Sequence, residues 1–293
     1  MPERKIDLGS KLLALSGVLL ITTFSLLIDV PFRFSLLKQY IESPFVTEEG
    51  ASGALMNSLI FFSLVLIGTL VFILIIKLRK IRMLPLIFSI SIFFSFFVIL
   101  ELFLSALSEY IVLLEPLVDI ISFTVSLVTA YLVYSPRYPL FLNGLLLIYG
   151  SMSGALFSEL LPVWSIFTIA FVMSFYDLYA VFKGPLKYIL ENVFKPTQQQ
   201  GDIRENVLRG ASVQLGKITL GMGDVLMYSM LSPTFYFFPY PSFSKWLFSI
   251  IGLLLGFFLT LKLLEKKKFM PALPLPVFCS TLFYMFSWMV LRI

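Results

Sequence analysis

The stretch Leu220-Gly221-Met222-Gly223-Asp224-Val225-Leu226 decides how the rest of the chain is interpreted. It places a carboxylate near the start of an apolar segment that is long enough to cross a bilayer. An ionisable side chain in hydrocarbon is costly, and it usually has a function and a partner. A second aspartate, Asp177, follows Tyr176 near the end of the preceding apolar segment. We therefore expect Asp177 and Asp224 to face each other inside the membrane.

The composition indicates an integral membrane protein. Of the 293 residues, 59% are hydrophobic and 13% are charged, whereas soluble domains carry about 25% charged residues. The sequence has no histidine, which excludes HExxH metalloproteases and Ser-His or Cys-His hydrolases. Its one cysteine, Cys279, permits no internal disulfide. We expect neither a metal nor a cofactor.

Nine segments are apolar enough to cross a bilayer, which takes about 20 residues. They are 11–30, 54–76, 83–107, 111–134, 139–158, 162–182, 217–238, 246–263 and 271–291. The predicted fold class is therefore all-α, a polytopic membrane protein with nine transmembrane helices. We predict a six-helix amino-terminal bundle (1–182) carrying Asp177, a mobile cytoplasmic loop (183–216), and a three-helix carboxyl-terminal part (217–293) carrying Asp224.

The net charge of +5 comes from basic clusters in the loops. In a membrane protein such clusters indicate topology rather than nucleic-acid binding. All but four of the 22 Lys and Arg residues fall on one side of the predicted spans. The exceptions are Arg33, Lys38, Lys245 and Arg292. Because basic loops stay in the cytoplasm, we expect the amino terminus inside and the carboxyl terminus outside.

Depth in the membrane is the first test of whether the two aspartates can meet. Asp177 lies six residues before Lys183, or about 9 Å of helix, and Asp224 lies seven residues after Lys217, or about 10 Å. Consecutive helices usually pack together. The two carboxylates are thus expected at one depth on antiparallel neighbours, in the cytoplasmic third of the bilayer.

Two close carboxyl groups in a low-dielectric site do not both ionise easily, so they share a proton. One then acts as general base on a water molecule, while the other protonates or hydrogen-bonds the substrate carbonyl. Such a pair hydrolyses peptide bonds without a metal. Gly221 and Gly223 permit a local helix break and let a substrate backbone approach Asp224. Tyr176 belongs either to this site or to an aromatic belt at the membrane interface.

A third element is Pro271-Ala272-Leu273-Pro274-Leu275-Pro276, at the start of the ninth span and at the same membrane face as the aspartates. Three prolines in six residues remove three backbone donors and favour an extended segment. An extended segment can pair with an unwound substrate as a strand. The alternative is a helix start marked by proline.

These motifs together resemble those of the presenilin and signal peptide peptidase family, the GxGD-type intramembrane aspartyl proteases. They are Tyr176-Asp177 in the sixth span, Gly221-Met222-Gly223-Asp224 in the seventh, and Pro271-Ala272-Leu273 at the ninth. The resemblance implies a presenilin-like fold with Asp177 and Asp224 as the catalytic dyad, and with Pro271-Ala272-Leu273 supporting the site and helping to seat substrate. It implies transmembrane-helix proteins or signal peptides as substrates. The short loops resemble those of a microbial, archaeal homologue.

Other functions remain as alternatives. Paired acids and glycine-broken helices also occur in ion-coupled channels and transporters, and an inactive homologue could bind transmembrane helices without cleaving them. A prepilin-type peptidase would need an early aspartate, for which Asp29 is the one candidate in the first span. Three further acids, Glu101, Glu115 and Asp119, are expected to be protonated packing groups or to line a polar cavity.

Overall fold

A computed structural model describes residues 7–78, 80, 83–111, 115–135, 137–184, 209–267 and 270–291. These residues form nine α-helices and one two-stranded antiparallel hairpin. The elements are α1 (Leu8–Arg33), α2 (Ala51–Lys77), α3 (Leu84–Ser108), α4 (Glu115–Tyr134), α5 (Pro139–Leu160), α6 (Val163–Phe182), β1 (Ser212–Leu215), β2 (Ile218–Gly221), α7 (Met222–Phe237), α8 (Phe243–Lys266) and α9 (Pro274–Leu291). The predicted nine-helix, all-α class is confirmed.

Seven of these helices, α1 to α6 and α8, are long and apolar enough to cross a membrane. The last helix, α9, is apolar but shorter, and α7 has 16 residues. Of the apolar side chains of α2, only Ala54 and Phe61 are buried, and the others are exposed or half-buried. This helix packs chiefly against α6. Exposed apolar surface of this extent fits a helix whose solvent is lipid.

The seventh helix begins later than the predicted span of 217–238. Residues Ile218–Gly221 form β2, which pairs with β1 in the register Val213 to Leu220. Gly216 makes the turn between the strands with φ +66°, a conformation that glycine adopts at little cost. β-Branched Ile218 and Thr219 favour the strand that follows.

The hairpin also takes up the end of the predicted loop 183–216. Residues 185–208 of that loop lie outside the described residues, so its predicted mobility stays a prediction. Its last residues, Ser212–Leu215, are ordered in β1. In the fold, α7 packs most extensively against α5 and α1, so the predicted carboxyl-terminal part contacts the amino-terminal bundle closely.

Small residues let α5 and α7 approach each other. A Cβ built on Gly154 of α5 would collide with the Ser229 hydroxyl, and one on Gly150 would lie 2.5 Å from a Val225 methyl. The Ser229 hydroxyl donates to the Gly150 carbonyl oxygen at 3.0 Å. Since close backbone approach replaces large side chains in membrane packing, this contact fixes α7, and with it Asp224, against the bundle.

Charged side chains at the carboxyl-terminal end of α1 pair with one another. Asp29 accepts from the Arg33 side chain at 3.2 Å and from the Ser158 hydroxyl at 2.9 Å. Glu159, at the end of α5, pairs with both Arg33 and Lys38. Two acids and two bases thus form one network, which joins α1, the 3₁₀ turn at residues 36–40 and α5.

Candidate active site

Asp177 lies on α6, five residues before the helix ends at Phe182. Its carboxylate is half-buried, and its Oδ2 accepts a hydrogen bond from the backbone N–H of Leu273 at 3.2 Å. The Ala272 amide also lies close enough to interact electrostatically with this carboxylate. Both amides belong to the segment that leads into α9, so this segment ties α6 to α9 beside Asp177.

Asp224 is the third residue of α7, and its Oδ2 accepts from the Gly221 N–H at 3.2 Å. This is a helix-capping arrangement, and it satisfies an amide that the helix itself leaves free. The predicted depth, about 10 Å into a helix that starts near Lys217, is therefore wrong in detail, although a helix break beside Gly221 was expected. Gly221 is where β2 ends and α7 begins, so Asp224 stands in the first helical turn, next to non-helical backbone.

The two carboxyl groups are brought together. Asp177 and Asp224 are close enough to interact electrostatically, and both interact with the hydroxyl-bearing side chain of Tyr228. Their helices, α6 and α7, are in contact, and α6 also packs on α9. Two acids from different helices, each accepting a hydrogen bond from a backbone N–H, can hold and activate a water molecule.

The proline-rich element is non-helical up to Leu273, with bends at Ala272 and Leu273, and α9 starts at Pro274. Pro271 and Leu273 are buried, and Leu273 is only 4% exposed. The carbonyl oxygen of Ala272 accepts from the Tyr228 hydroxyl at 2.6 Å. The segment therefore contributes backbone groups to the site, while its two larger side chains support it from within.

Tyr228 is the residue of this site that the sequence did not single out. It is fully buried on α7, one helical turn after Asp224, and its ring packs edge-to-face on Phe257. A tyrosine in an apolar helix is usually a packing residue with its hydroxyl hydrogen-bonded. The signal that could have found it is the i, i+4 spacing from Asp224, which places both side chains on one helix face.

Two further predicted site residues point elsewhere. Tyr176 faces α2, where its hydroxyl lies 3.3 Å from the Thr69 hydroxyl and its ring meets Phe62 edge-to-face at 5.3 Å. The end of the Met222 side chain lies near Gly150 of α5, and its N–H donates to the Ala211 carbonyl oxygen at 2.9 Å. Gly223 is exposed, and a Cβ built there would meet nothing within 4 Å.

The other acids of the spans lie on other elements. Glu115 and Asp119 are exposed on α4, which is not what we expected for packing groups, and Glu101 is half-buried on α3. Asp29 belongs to the charge network at the far end of α1 and α5. That position does not support the prepilin-type alternative, because its hydrogen bonds go to Arg33 and Ser158 rather than to the Asp224 region.

The hairpin that precedes α7 is anchored to α5 by one side chain. The Asn143 amide donates to the Gln214 carbonyl oxygen at 3.0 Å, and its oxygen accepts from the Gln214 N–H at 3.2 Å. This pair reproduces the bonds of a neighbouring strand. Because β2 leads directly into Gly221 and Asp224, Asn143 holds the backbone from which Asp224 projects.

The hairpin turn is anchored to the start of α1. Asp7 caps α1 by accepting from the Ser10 N–H, and it pairs with Lys217 in the turn at 2.9 Å. The Lys217 ammonium, followed by Ser10, lowers the pKa of Asp7 to about 2. Because the pKa is lowered in the fold, the ionised Asp7 carboxylate stabilises the fold fully at any pH above the ordinary aspartate pKa. This stabilisation is lost as the pH falls towards about 2.

Among the described residues, no group of three or more His, Cys, Asp or Glu side chains is arranged to hold a metal ion. The acids at the site are Asp177 and Asp224, and their nearest polar partners are backbone amides and Tyr228. The arrangement offers two carboxyl groups for proton transfer.

Known proteins share both the sequence and the fold. The sequence model of the Presenilin family matches residues 33–200, more than half of the chain. Presenilin-B from Dictyostelium discoideum is 34% identical over 172 residues, which make up 57% of this chain and 34% of that protein. The chain thus spans about a third of the length of this curated relative.

Two solved structures of a presenilin family intramembrane aspartate protease resemble the whole fold. The crystal form in space group C222 gives a TM-score of 0.63 and covers 94% of this chain and 99% of that one. The form in P2 gives 0.64 and covers 97% of each. Both solved structures are 17% identical in sequence to this chain, so the similarity to them concerns the fold. The family match over residues 33–200 confirms the predicted resemblance and shows that the chain belongs to the presenilin family.

Proposed function

We propose that this integral membrane protein is an intramembrane aspartyl endopeptidase with Asp177 and Asp224 as its catalytic dyad. The observation that carries the proposal is the meeting of these two carboxyl groups from α6 and α7, close enough to interact electrostatically. Its membership of the presenilin family supports the same activity. The matched residues 33–200 include Asp177 and stop before Asp224, so the assignment of Asp224 depends on its electrostatic interaction with Asp177 in the fold.

The mechanism follows from the chemistry of two carboxyl groups that share one proton. The ionised carboxylate takes a proton from a water molecule, whose oxygen attacks the carbonyl carbon of the scissile peptide bond. The protonated carboxyl hydrogen-bonds the carbonyl oxygen as it gains charge. When the tetrahedral intermediate collapses, the C–N bond breaks and the leaving nitrogen takes up a proton from the dyad. The pair titrates as a unit, so either aspartate can start as the base.

Substrate reaches the dyad at non-helical backbone. The open space beside Gly223, next to Asp224, suits the approach of a peptide backbone. A helix must first unwind before a peptide bond within it can be attacked. The non-helical segment Pro271-Ala272-Leu273 lies against Asp177, where it can help to seat an unwound substrate segment. We propose transmembrane-helix proteins or signal peptides within the bilayer as the substrate class.

The dyad is proposed to lie near the cytoplasmic face. The excess of Lys and Arg in alternate loops favours an amino terminus inside the cell and a carboxyl terminus outside. Two ion pairs, Asp7 with Lys217 and Lys11 with Glu265, lie at the end of the molecule from which α7 starts. Products would therefore leave towards the cytoplasm.

Cleavage of a single-span reporter in liposomes tests the proposal. The purified protein is compared with Asp177→Asn and Asp224→Asn, which keep the shape of the side chain and remove its acid function. Asp119→Asn, on the exposed surface of α4, is the matched control. We expect each dyad variant to lose at least about 100-fold in rate and the control to cleave as the wild type does. Equal cleavage by wild type and Asp177→Asn would refute the assignment. If no variant cleaves, an ion flux assay in the same liposomes would test the transporter alternative.

A further inference from the structure

One peptide group at the site is held at both of its ends. The peptide that joins Ala272 to Leu273 offers a carbonyl oxygen on one side and an N–H on the other. Its carbonyl oxygen accepts from the Tyr228 hydroxyl at 2.6 Å. Its N–H donates to Asp177 Oδ2 at 3.2 Å. Tyr228 and Asp177, on different helices, are thus connected through a single peptide plane.

Tyr228 is itself rigidly placed. Its side chain is 0% exposed, and its ring packs edge-to-face on Phe257 of α8 with the centroids 6.2 Å apart. It stands one turn after Asp224 on α7, a helix wedged against α5 through Gly150 and Gly154. A movement of the Ala272–Leu273 peptide would therefore break the Tyr228 bond before it could move the helix.

Hydrogen bonds in series strengthen one another. A donor on a peptide carbonyl polarises the peptide and makes its N–H a better donor. The Tyr228 hydroxyl thus both orients the Ala272–Leu273 peptide and strengthens the bond that this peptide gives to Asp177. Tyr228 thus connects Asp177 to α7, the helix that carries Asp224, through this peptide.

We infer that Tyr228 is a positioning residue, which sets the orientation of Asp177 relative to Asp224 through the Ala272–Leu273 peptide. The inference rests on the proposed function, since it concerns the geometry of the same dyad. The competing explanation is that the hydroxyl only satisfies a buried tyrosine and contributes to stability alone. A positioning role predicts that Tyr228→Phe lowers turnover more than another variant with the same loss of stability, whereas a purely structural role predicts equal turnover.

Tyr284 provides that match. Like Tyr228 it is a buried tyrosine whose hydroxyl donates to a backbone carbonyl oxygen, that of Phe238, at 2.7 Å. It lies on α9 and packs on Phe167 and Phe235, away from the aspartates. Tyr228→Phe and Tyr284→Phe each keep the ring and remove one such hydrogen bond. A general loss of stability should affect both variants alike.

The experiment measures kcat and KM for the reporter with wild type, Tyr228→Phe and Tyr284→Phe in liposomes. We expect kcat of Tyr228→Phe to fall about 5- to 10-fold, the worth of one hydrogen bond, with KM within about 2-fold of wild type. Tyr284→Phe should keep the wild-type kcat. Equal kcat values for the two variants would overturn the inference. Loss of activity in Asp224→Asn with normal turnover in Tyr228→Phe would reject the role of Tyr228 and leave the proposed function standing.

A second measurement does not need activity. Hydrogen exchange of the Leu273 amide reports whether its peptide is held. In Tyr228→Phe we expect this amide to exchange at least about 5-fold faster, the equivalent of one lost hydrogen bond. Tyr284→Phe should leave it unchanged. Unaltered exchange in Tyr228→Phe would refute the connection even if the wild type cleaved no reporter at all.

Discussion

Leu273 donates its backbone N–H to Asp177 at 3.2 Å, although 96 residues of sequence separate the two. The bond closes a loop that includes the hairpin, α7 and α8. It places the start of α9 against the carboxylate of α6, with Asp224 close by. The consequence is that the backbone at residue 273, rather than its side chain, contacts the dyad.

Substitution at residue 273 separates these two contributions. Leu273→Pro removes the N–H that donates a hydrogen bond to Asp177. Loss of a hydrogen bond to a charged group should lower kcat roughly 10- to 100-fold. Leu273→Ala keeps the N–H and instead leaves a cavity at a buried position, costing about 2–4 kcal/mol of stability. Both variants are assayed for kcat well below their melting temperatures. If Leu273→Pro turned over as fast as Leu273→Ala, the backbone contact would have no catalytic role.

The rate of cleavage should depend on pH with a maximum. A dyad that shares one proton becomes inactive at low pH, where it takes up a second proton, and at high pH, where it loses the shared one. A plot of kcat/KM against pH should therefore be bell-shaped. The anchor at Asp7 does not shape this curve. Its pKa is lowered to about 2, so its pairing with Lys217 is complete above the ordinary aspartate range and lost only in strong acid. A rate that is flat from about pH 4 to about pH 9 would contradict a dyad that needs one shared proton.

Anchoring of the hairpin is tested at Asn143. Asn143→Leu leaves the Gln214 N–H and carbonyl oxygen without this partner, at a cost of about 1–3 kcal/mol. We expect kcat to fall as well, because the hairpin sets the backbone before Asp224. Asn57 is a matched control, since its amide makes the same two bonds to Val46 at 2.8 Å each.

The two asparagine variants should therefore differ in activity. Asn57→Leu should lower the melting temperature and leave kcat unchanged, because Asn57 contacts Val46 and Ser165 rather than the hairpin. Thermal melts and reporter turnover of both variants provide the comparison. A normal kcat in Asn143→Leu would mean that the hairpin does not control the geometry of Asp224.

Close approach of α5 and α7 is tested at Gly154. In Gly154→Ala the new methyl group would meet the Ser229 hydroxyl and lie 2.7 Å from the Met230 nitrogen. The helices must separate, which should cost about 1–3 kcal/mol or more. Gly144→Ala on the same helix meets nothing within 4 Å, and it should stabilise the protein by about 0.5–1 kcal/mol. A melting temperature of Gly154→Ala at or above that of Gly144→Ala would disprove the close contact.

Much of the fold could be predicted because each span carries its own signal. A run of about 20 apolar residues needs no tertiary information to be recognised. The aspartates stood out for the same reason, since Asp177 and Asp224 interrupt such runs. The motifs Gly221-Met222-Gly223-Asp224 and Pro271-Ala272-Leu273 then indicated that the two aspartates act as a pair.

The hairpin could not be predicted in this way. Residues 217–221 continue without a break into the apolar run of α7, and a short apolar stretch does not distinguish a strand from a helix. What decides the conformation is tertiary, namely the pairing of Gln214 with Asn143 of α5. Because of the hairpin, Asp224 lies in the first turn of α7 rather than seven residues inside a helix that starts near Lys217.

Tyr176 and Tyr228 show the limits of adjacency in sequence. Tyr176 is next to a catalytic candidate, but its helix turns it towards Thr69 of α2. Tyr228 is four residues from Asp224, and that spacing places it on the side of the site. A helical wheel drawn through Asp224 would have favoured Tyr228, whereas reading along the chain favoured Tyr176.

The position of the cut in a single-span reporter tests the central claim most directly. Wild-type protein and Asp224→Asn are incubated with the reporter in liposomes, and the new termini are mapped by mass spectrometry. We predict wild-type fragments whose new ends lie within or next to the apolar span, and no such fragments from Asp224→Asn. The same fragments from Asp224→Asn, or cuts confined to the water-exposed tails, would contradict an intramembrane protease that uses Asp177 and Asp224.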